Sequence, residues 1–393
     1  MAAPPAGSLV MNRNHYDVIV LGVGAMGAST CYHLARRGAR VLGLERFGVP
    51  HAFGGSHGFS RMIRLAYYEH PDYVTLLRRS FDLWDELEAE TGQKLLHLTG
   101  GLYIGRADCD LVAGSKQAAD QHGIEYETLD HGALQREAPA FHLPEQYVGF
   151  REAKAGFLVP ELTIAASAAA AMRRGAEIHG HETVLDFSSS GSEVEVRTDR
   201  ATYRADRVIV SGGAWTNRLI TDLGVTLSVT RQIMAWTWPR VPERFELGRL
   251  PCWAVDSAEP GEPFRGIHYG FPMMPDNPGF KIALHYPATP VDPDQVSRTP
   301  TEEDERTVMP FVRDVIPEAD GPLLAIRTCL YTNSPDSHFI VDHHPEQDRI
   351  VIACGFSGHG FKFASVIGEA LADLALNGRS DLPIGFLGLS RFA

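Results

Sequence analysis

The run Gly22-Val23-Gly24-Ala25-Met26-Gly27 spaces three glycines as a chain does when it must pass close over a pyrophosphate. Each has a separate mechanical reason: Gly22 permits a tight turn, Gly24 lets the backbone approach the phosphates, and Gly27 lets a helix pack closely on a strand. Glu45 follows roughly twenty residues later, where a carboxylate can accept hydrogen bonds from ribose hydroxyls. Glycines at this spacing can mark only a tight helix-strand contact, but with the acid the chemistry implied is dinucleotide binding. A second candidate is Lys362 in GHGFKF, where Phe361 and Phe363 suggest an apolar wall and Gly358 and Gly360 suggest close approach by a ring system. The bland alternative is a solvated surface cation.

The elements that must hold these residues are legible. From Tyr16 an apolar strand, DVIVLG, runs into the glycine turn, a helix follows, and ARVLGLE forms a second apolar strand ending at Glu45, which is a βαβ unit whose helix N-terminus faces the phosphates. Farther on, GAEIHGHETVLDF, EVEVRT and ATYRADRVIV read as strands, the last ending at Gly212 and Gly213 in a second glycine turn. YVTLLRRSFDLWDELEAETG and ELTIAASAAAAMRRG carry helical patterns ending at Gly92 and Gly175 and read as scaffold. Residues 228–324 break into short strands and turns rich in Trp, Pro and aromatic residues, a composition suited to lining a substrate cavity.

The chain of 393 residues is longer than one hydrophobic core usually serves, so two domains are expected. A net charge of −13 repels phosphate backbones and anionic lipid, and no concentrated basic patch offsets it, which argues against nucleic-acid and membrane partners. Cys31, Cys109, Cys252, Cys329 and Cys354 are scattered without CxxC spacing, so neither a disulfide framework nor a metal site is expected and a reducing compartment is. The N-terminal apolar run is too short for a signal peptide, no run has the length of a membrane span, and LGLSRFA does not match the peroxisomal pattern; a cytoplasmic protein is expected.

Three longer stretches, GSHGFSRMIRLAYYEHPDY, TCLYTNSPDSHFIVDHHP and GFSGHGFKFASVIGEALADLAL, resemble the monomeric sarcosine oxidase and N-methyltryptophan oxidase family, FAD-dependent amine oxidases of the D-amino acid oxidase-like superfamily. The likeness runs from Tyr16 to the closing LSRF. It implies an α/β fold: a discontinuous Rossmann-like FAD-binding domain (16–90, 155–227 and 325–393), an interleaved α+β substrate domain with a mixed or antiparallel sheet (91–154 and 228–324), and an N-terminal extension (1–15). It also implies a monomer that takes a small secondary amino acid and molecular oxygen.

The resemblance also implies roles for residues. Cys329 in TCLYT matches the cysteine that attaches FAD through a thioether, although without the family it would read as a small buried hydrophobe. Arg61 and Lys281 match cations beside the flavin, which becomes anionic on accepting a hydride, and Lys281 matches the lysine that assists oxygen reduction. Arg64 and Lys362 match the pair that holds the substrate carboxylate, one as a planar fork and the other as a point charge. His285, Tyr269 and Tyr331 match residues shaping the cavity, His57 and Ser60 residues near the flavin ring, and Gly358 a glycine whose carbonyl faces the substrate amine. Ala25, Met26, Arg46, Val184, Gly355 and Gly360 complete the expected cofactor contacts.

Two positions depart from the family pattern: Phe59 stands where Asp is common and Ser60 where Thr is common. The DNPGF loop before Lys281 also differs in length. The activity implied is oxidation of an N-methyl amino acid by oxygen to the amino acid, formaldehyde and hydrogen peroxide. Oxidation of a cyclic imino acid such as proline or pipecolate stays open, as does a catalytically silent dinucleotide-binding protein.

Overall fold

The computed structural model describes residues 15–257, 266–276, 279–286 and 288–393. The N-terminal extension, His15 apart, and Asn277 and Pro278 of the DNPGF loop lie outside the described residues.

The first sheet is built on the expected βαβ unit. His15–Leu21 pairs parallel with Val41–Leu44 on one side and Thr202–Val210 on the other, and Ile350–Cys354 extends the parallel set by pairing with the C-terminal half of Thr202–Val210. Strands that are buried on both faces read as continuous apolar runs, and VIVL and IVIA do so here because the helices Ala25–Arg36, Pro160–Arg173 and Ala364–Asn377 cover one face. An antiparallel extension, Val184–Ser190 and Glu193–Thr198, completes it. The scaffold helices form as their patterns require: Tyr73–Thr91 ends at Gly92 and Pro160–Arg173 ends just before Gly175, both glycines having the positive φ that glycine accepts most readily.

The second sheet runs in the order Leu323–Asn333, Ser228–Thr237, Phe280–His285, Ile267–Phe271, Cys252–Asp256, Gly101–Arg106, Tyr147–Glu152, Glu127–Leu129. It is mixed, because Cys252–Asp256 and Gly101–Arg106 pair parallel while the other neighbours are antiparallel. The expected boundary at 325 falls inside Leu323–Asn333, and that strand pairs along its length with Ser228–Thr237, so its ladder hydrogen bonds tie Cys329 and Tyr331 to the second sheet. A small third sheet, Arg61–Ile63 with Gly156–Leu158 and Leu96–Leu98, joins segments from both expected units.

Register decides what this second sheet presents. Directly paired residues share a face, and every second residue along a strand returns to it. Cys329 pairs Gln232 and Tyr331 pairs Thr230; Trp236 pairs Lys281; Ala283 pairs both Met234 and Tyr269; Ile267 pairs His285; and Tyr269 pairs Ala254. Cys329, Tyr331, Met234, Trp236, Lys281, His285, Tyr269, Ile267 and Ala254 therefore stand on one face. The opposite face, with Ile233, Ala235, Trp253, Val255, Phe280 and Ile282, buries itself against Val308, Phe311 and Val312 of the helix Glu302–Val315.

Candidate active site

A cavity of about 750 Å³ lies against this face and extends to the glycine turn of the first sheet. Of the residues expected from the sequence, Gly22, Gly24, Ala25, Met26, Glu45, Arg46, Val184, Gly212, Gly213, Gly355, Gly358, Gly360, Arg61, Arg64, Lys362, Tyr269, His285 and Tyr331 line it. Gly27, His57, Ser60, Lys281 and Cys329 are not among the residues that line it.

At the nucleotide end, a Cβ on Gly27 would stand 1.9 Å from the Gly22 carbonyl oxygen, so this glycine serves helix-strand packing. A Cβ on Gly24 would meet no protein atom within 4 Å, so no protein contact requires a glycine there; backbone close to a phosphate does. Glu45 accepts hydrogen bonds from the amides of Val23 (2.8 Å) and Phe47 (2.9 Å), which fixes its carboxylate at the cavity edge with lone pairs left over. Arg46 Nη1 lies 2.7 Å from Asp294, which also accepts from Trp215 Nε1 at 2.8 Å.

At the other end the loop 54–61 wraps the wall residues. Lys281 Nζ donates to the carbonyls of Gly58 (2.8 Å) and Ser60 (2.7 Å) and to Ser60 Oγ (3.2 Å), over the rings of Phe271 and Trp236. Burial, reinforced by Arg61, holds its ammonium well below the usual lysine range. Arg61 reaches Cys329 Sγ at 3.4 Å and the Gly55 carbonyl at 3.0 Å. Burial with Arg61 and Lys281 pushes His57 down to about 3, leaving a neutral ring, and neither ring nitrogen has a hydrogen-bond partner among the described residues. A buried polar ring of this kind calls for a polar partner, and the heterocyclic edge of a flavin supplies one. On this and the Gly24 observation, the residues fit FAD.

Arg64 and Lys362 meet around Tyr67. The Arg64 guanidinium is 4.9 Å from that ring and Lys362 Nζ is 5.0 Å from it, while Tyr68 and Tyr103 also face Arg64 at 4.5 and 5.3 Å. Lys362 Nζ donates to the His359 carbonyl (2.8 Å) and the Tyr67 hydroxyl (3.4 Å), and the Tyr67 hydroxyl lies 2.6 Å from His359 Nδ1. Arg64 Nη2 donates to both oxygens of Glu69 at 2.9 and 2.7 Å, and Nη1 is buried without a partner among the described residues. Burial would raise the Glu69 carboxyl, but Arg64, His359 and Lys362 outweigh it and hold it low. For Lys362, burial dominates over the opposing pull of Glu69 and, with Arg64, draws the ammonium down to about 7. His285 Nδ1 is 3.4 Å from the Tyr331 hydroxyl, and burial lowers its pKa. Gly358, with φ of 80°, is needed because a Cβ there would meet the Tyr331 ring at 2.3 Å.

Three carboxylates that the sequence did not single out organise the site. Glu69 pairs Arg64. Glu161, in the first turn of Pro160–Arg173, accepts from the amides of Gly58 (2.6 Å) and Phe59 (3.1 Å) and so anchors the loop that holds Lys281. Glu152, fully buried, accepts from Ala66 N (2.9 Å), Leu65 N (3.3 Å) and Tyr103 Oη (2.7 Å), fixing the backbone next to Arg64. The only sequence signal for Glu69 was its place in the YYEHPDY stretch; Glu161 and Glu152 read as ordinary surface acids. Among the described residues no group of His, Cys, Asp and Glu could hold a metal ion, and no helix is long and apolar enough to cross a membrane.

A dinucleotide groove that continues into a buried, cation-lined pocket defines a flavoprotein oxidoreductase, and the comparisons agree. The model of the FAD dependent oxidoreductase family matches residues 17–374, and the chain belongs to that family. It is similar to a monomeric sarcosine oxidase from Streptomyces avermitilis, 40% identical over 385 residues, 96% of this chain and 98% of the relative. It is 32% identical over 381 residues to an N-methyl-L-tryptophan oxidase from Yersinia pestis (strain Pestoides F), 96% of this chain and 99% of the relative. Among solved structures, NikD, an unusual amino acid oxidase essential for nikkomycin biosynthesis, matches with a TM-score of 0.84 at 28% identity, covering 95% of this chain and 97% of that one.

The depressed Lys362 ammonium has a measurable consequence. Its pKa falls from 10.5 to about 7 on folding, so between these values the unfolded chain binds the extra proton. The cost of a charged Lys362 is therefore fully present below about pH 7 and is relieved as pH rises toward about 10.5. Lys362→Met removes the titrating group. Its Tm relative to the parent is expected to be most favourable at about pH 6 and to decline steadily by about pH 9, by calorimetry. A Tm difference that does not change with pH would show that Lys362 titrates normally.

Proposed function

We propose that this protein is an FAD-dependent oxidase that demethylates an N-methyl amino acid, using oxygen and water and yielding the primary amino acid, formaldehyde and hydrogen peroxide. The observation that carries the reading is the cluster of Arg64, Glu69 and Lys362, in which Arg64 Nη2 already holds a carboxylate while its Nη1 is buried without a partner among the described residues, beside the wall that contains Cys329, Arg61 and Lys281. A substrate carboxylate has the same charge as Glu69 and can accept from Arg64 in the same way.

FAD would be held by Gly22, Gly24, Gly27 and Glu45 at the adenosine end and by His57, Ser60, Arg61 and Cys329 at the ring end, within a cofactor unit of 16–90, 155–227 and the chain after the strand Leu323–Asn333. When bound, it supplies the acceptor for the two electrons leaving the N-methyl carbon and hands them to oxygen. Arg64 and Lys362 orient the substrate by its carboxylate, and that orientation is a large part of the rate enhancement. Tyr269, Tyr331 and His285 close the cavity over the amine, and the neutral His285 imidazole can share a proton with the Tyr331 hydroxyl. Arg61 provides fixed positive charge where negative charge develops, and the Lys281 amine, depressed by burial, is placed to take up a proton there. Cys329, whose Sγ lies 3.4 Å from the Arg61 guanidinium, is the residue that would hold the flavin through a thioether. The setting is cytoplasmic and the chain acts as a monomer, a reading supported by its similarity to the monomeric sarcosine oxidase.

Peroxide and formaldehyde release from a panel of N-methyl and cyclic amino acids tests the reaction. Both products from an N-methyl acid are expected, whereas peroxide without formaldehyde from proline or pipecolate would replace the reading with cyclic imino acid oxidation. Arg64→Gln is expected to weaken a carboxylate inhibitor such as methylthioacetate by roughly 2 to 5 kcal/mol, read from the flavin spectrum, and a neutral analogue much less. Equal losses for the two ligands would remove the charge argument. Denaturing mass spectrometry is expected to find the FAD mass on the parent polypeptide and on no Cys329→Ser chain; a bare parent mass from yellow protein would exclude the thioether.

A further inference from the structure

His359 stands between Gly358 and Gly360, in the turn that leads to Lys362, and it holds that lysine twice. Its backbone carbonyl accepts from Lys362 Nζ at 2.8 Å. Its ring, through Nδ1, meets the Tyr67 hydroxyl at 2.6 Å, and that hydroxyl lies 3.4 Å from the same Nζ. The ring is itself held, with Nε2 2.9 Å from the Ser337 carbonyl and the rings of Phe339 and Tyr73 flanking it at 4.7 and 6.0 Å.

These contacts fix where each hydrogen goes. A carbonyl can only accept, so Nε2 carries the hydrogen, and in a neutral imidazole Nδ1 is then an acceptor. Burial, opposed by Glu69 and reinforced by Lys362, pushes His359 down to about 3, which keeps the ring neutral. Burial also raises the Tyr67 phenol well above its usual range, so it keeps its hydrogen and donates it to Nδ1. Tyr73 and Phe363, packed edge-on at 5.2 and 5.3 Å, fix the plane of the Tyr67 ring, but only an acceptor fixes which way its hydroxyl hydrogen points. The phenol oxygen is thereby left with lone pairs for Lys362. An ammonium has three hydrogens; the His359 carbonyl and the Tyr67 oxygen take two, and no acceptor among the described residues takes the third on this cavity-lining lysine.

Building on the reading of Lys362 as a carboxylate anchor, we propose that His359 is a positioning residue acting through Tyr67: its bare Nδ1 takes the Tyr67 hydrogen, the phenol oxygen then receives the Lys362 ammonium, and the remaining N–H is turned to the substrate carboxylate. Without an acceptor at position 359, the Tyr67 hydrogen would face the ammonium hydrogens, and the neutral amine, which can accept it, would be favoured. The charged and titratable groups around Lys362 are Glu69, Arg64 and Tyr67 from one segment, His359 in its own turn and His285 on the second sheet. A carboxylate ligand binds the ammonium form, so its affinity falls as pH rises through the Lys362 pKa, and the fall comes at lower pH where the ammonium is less favoured.

The holoenzyme tests this with methylthioacetate, titrated through the flavin spectrum between about pH 6 and about pH 9. His359→Leu and Tyr67→Phe are each expected to weaken binding about tenfold at the alkaline end and less at the acid end. The double variant should be no weaker than Tyr67→Phe alone, since both changes break one chain of contacts. His359→Asn, whose side-chain carbonyl can accept from Tyr67 where Nδ1 did, should follow the parent curve. If His359→Leu does not fold, the contrast between His359→Asn and Tyr67→Phe decides. Losses that add in the double variant, that are equal at every pH, or that His359→Asn shares in full would overturn the proposal, because His359 would then act by packing alone. A Lys362→Gln enzyme that binds methylthioacetate as tightly as the parent would overturn the anchor reading and this proposal together.

Discussion

Arg61, Arg64, Lys281 and Lys362 are buried around one cavity, and a buried cation costs several kcal/mol unless its surroundings compensate it. The compensation is mostly neutral. Lys281 has the Gly58 and Ser60 carbonyls and the Ser60 hydroxyl, Arg61 has the Gly55 carbonyl, Lys362 has the His359 carbonyl, and aromatic faces surround Lys281, Arg64 and Lys362. Such dipoles satisfy hydrogen bonds without cancelling charge; among the described residues Arg64 alone of the four is in a direct ion pair, with Glu69. The two guanidiniums therefore keep positive charge in the interior although the chain as a whole carries −13, while burial depresses the ammoniums of Lys281 and Lys362. Low dielectric makes that guanidinium charge act strongly at short range.

The compensation at Lys281 depends on a loop in an unfavourable conformation. Gly58 has φ of 99° and Phe59 of 68°, the second being costly for a bulky side chain. Glu161 holds both amides, and the carbonyls on the same loop are thereby aimed at Lys281. Asp, common at position 59 in the family the chain resembles, tolerates the left-handed region better than Phe. Here the ring recovers contacts instead, edge-on to Trp236 at 6.0 Å and beneath the Arg327 guanidinium at 4.8 Å. The departure exchanges backbone preference for packing beside the lysine.

How much of this was legible follows from range in sequence. The glycine turn, Glu45 and the helix between the first two strands form one local unit, and the pattern located them without help. The helix ends at Gly92 and Gly175 were equally local. The shared face of Cys329, Lys281, His285 and Tyr269 was not, because it depends on register between strands separated by tens of residues, and a slip of one residue would turn any of them to the other side. For the same reason the boundary at 325 looked natural in sequence yet cuts a strand whose pairing partner lies at 228–237. The carboxylates Glu69, Glu152 and Glu161 escaped notice because an acid in a loop, strand or helix start is usually solvated. Only tertiary burial reveals that each satisfies backbone amides or a guanidinium.

The strand Leu323–Asn333 then has a mechanical role that neither unit alone would need. Cys329 and Tyr331 are two residues apart and project from the same face, roughly 7 Å apart along the strand. Tyr331 is wedged against Gly358, where no side chain fits, and Gly358 belongs to the turn that ends in Lys362. Displacing the Cys329 backbone would shift Tyr331 and press on the turn that carries Lys362. The positions of Cys329 and Lys362 are thus set by one stretch of ladder hydrogen bonds and one ring-on-backbone contact. Close packing transmits displacement instead of absorbing it, so the two ends of the cavity are held in a fixed relation without any side chain bridging them directly.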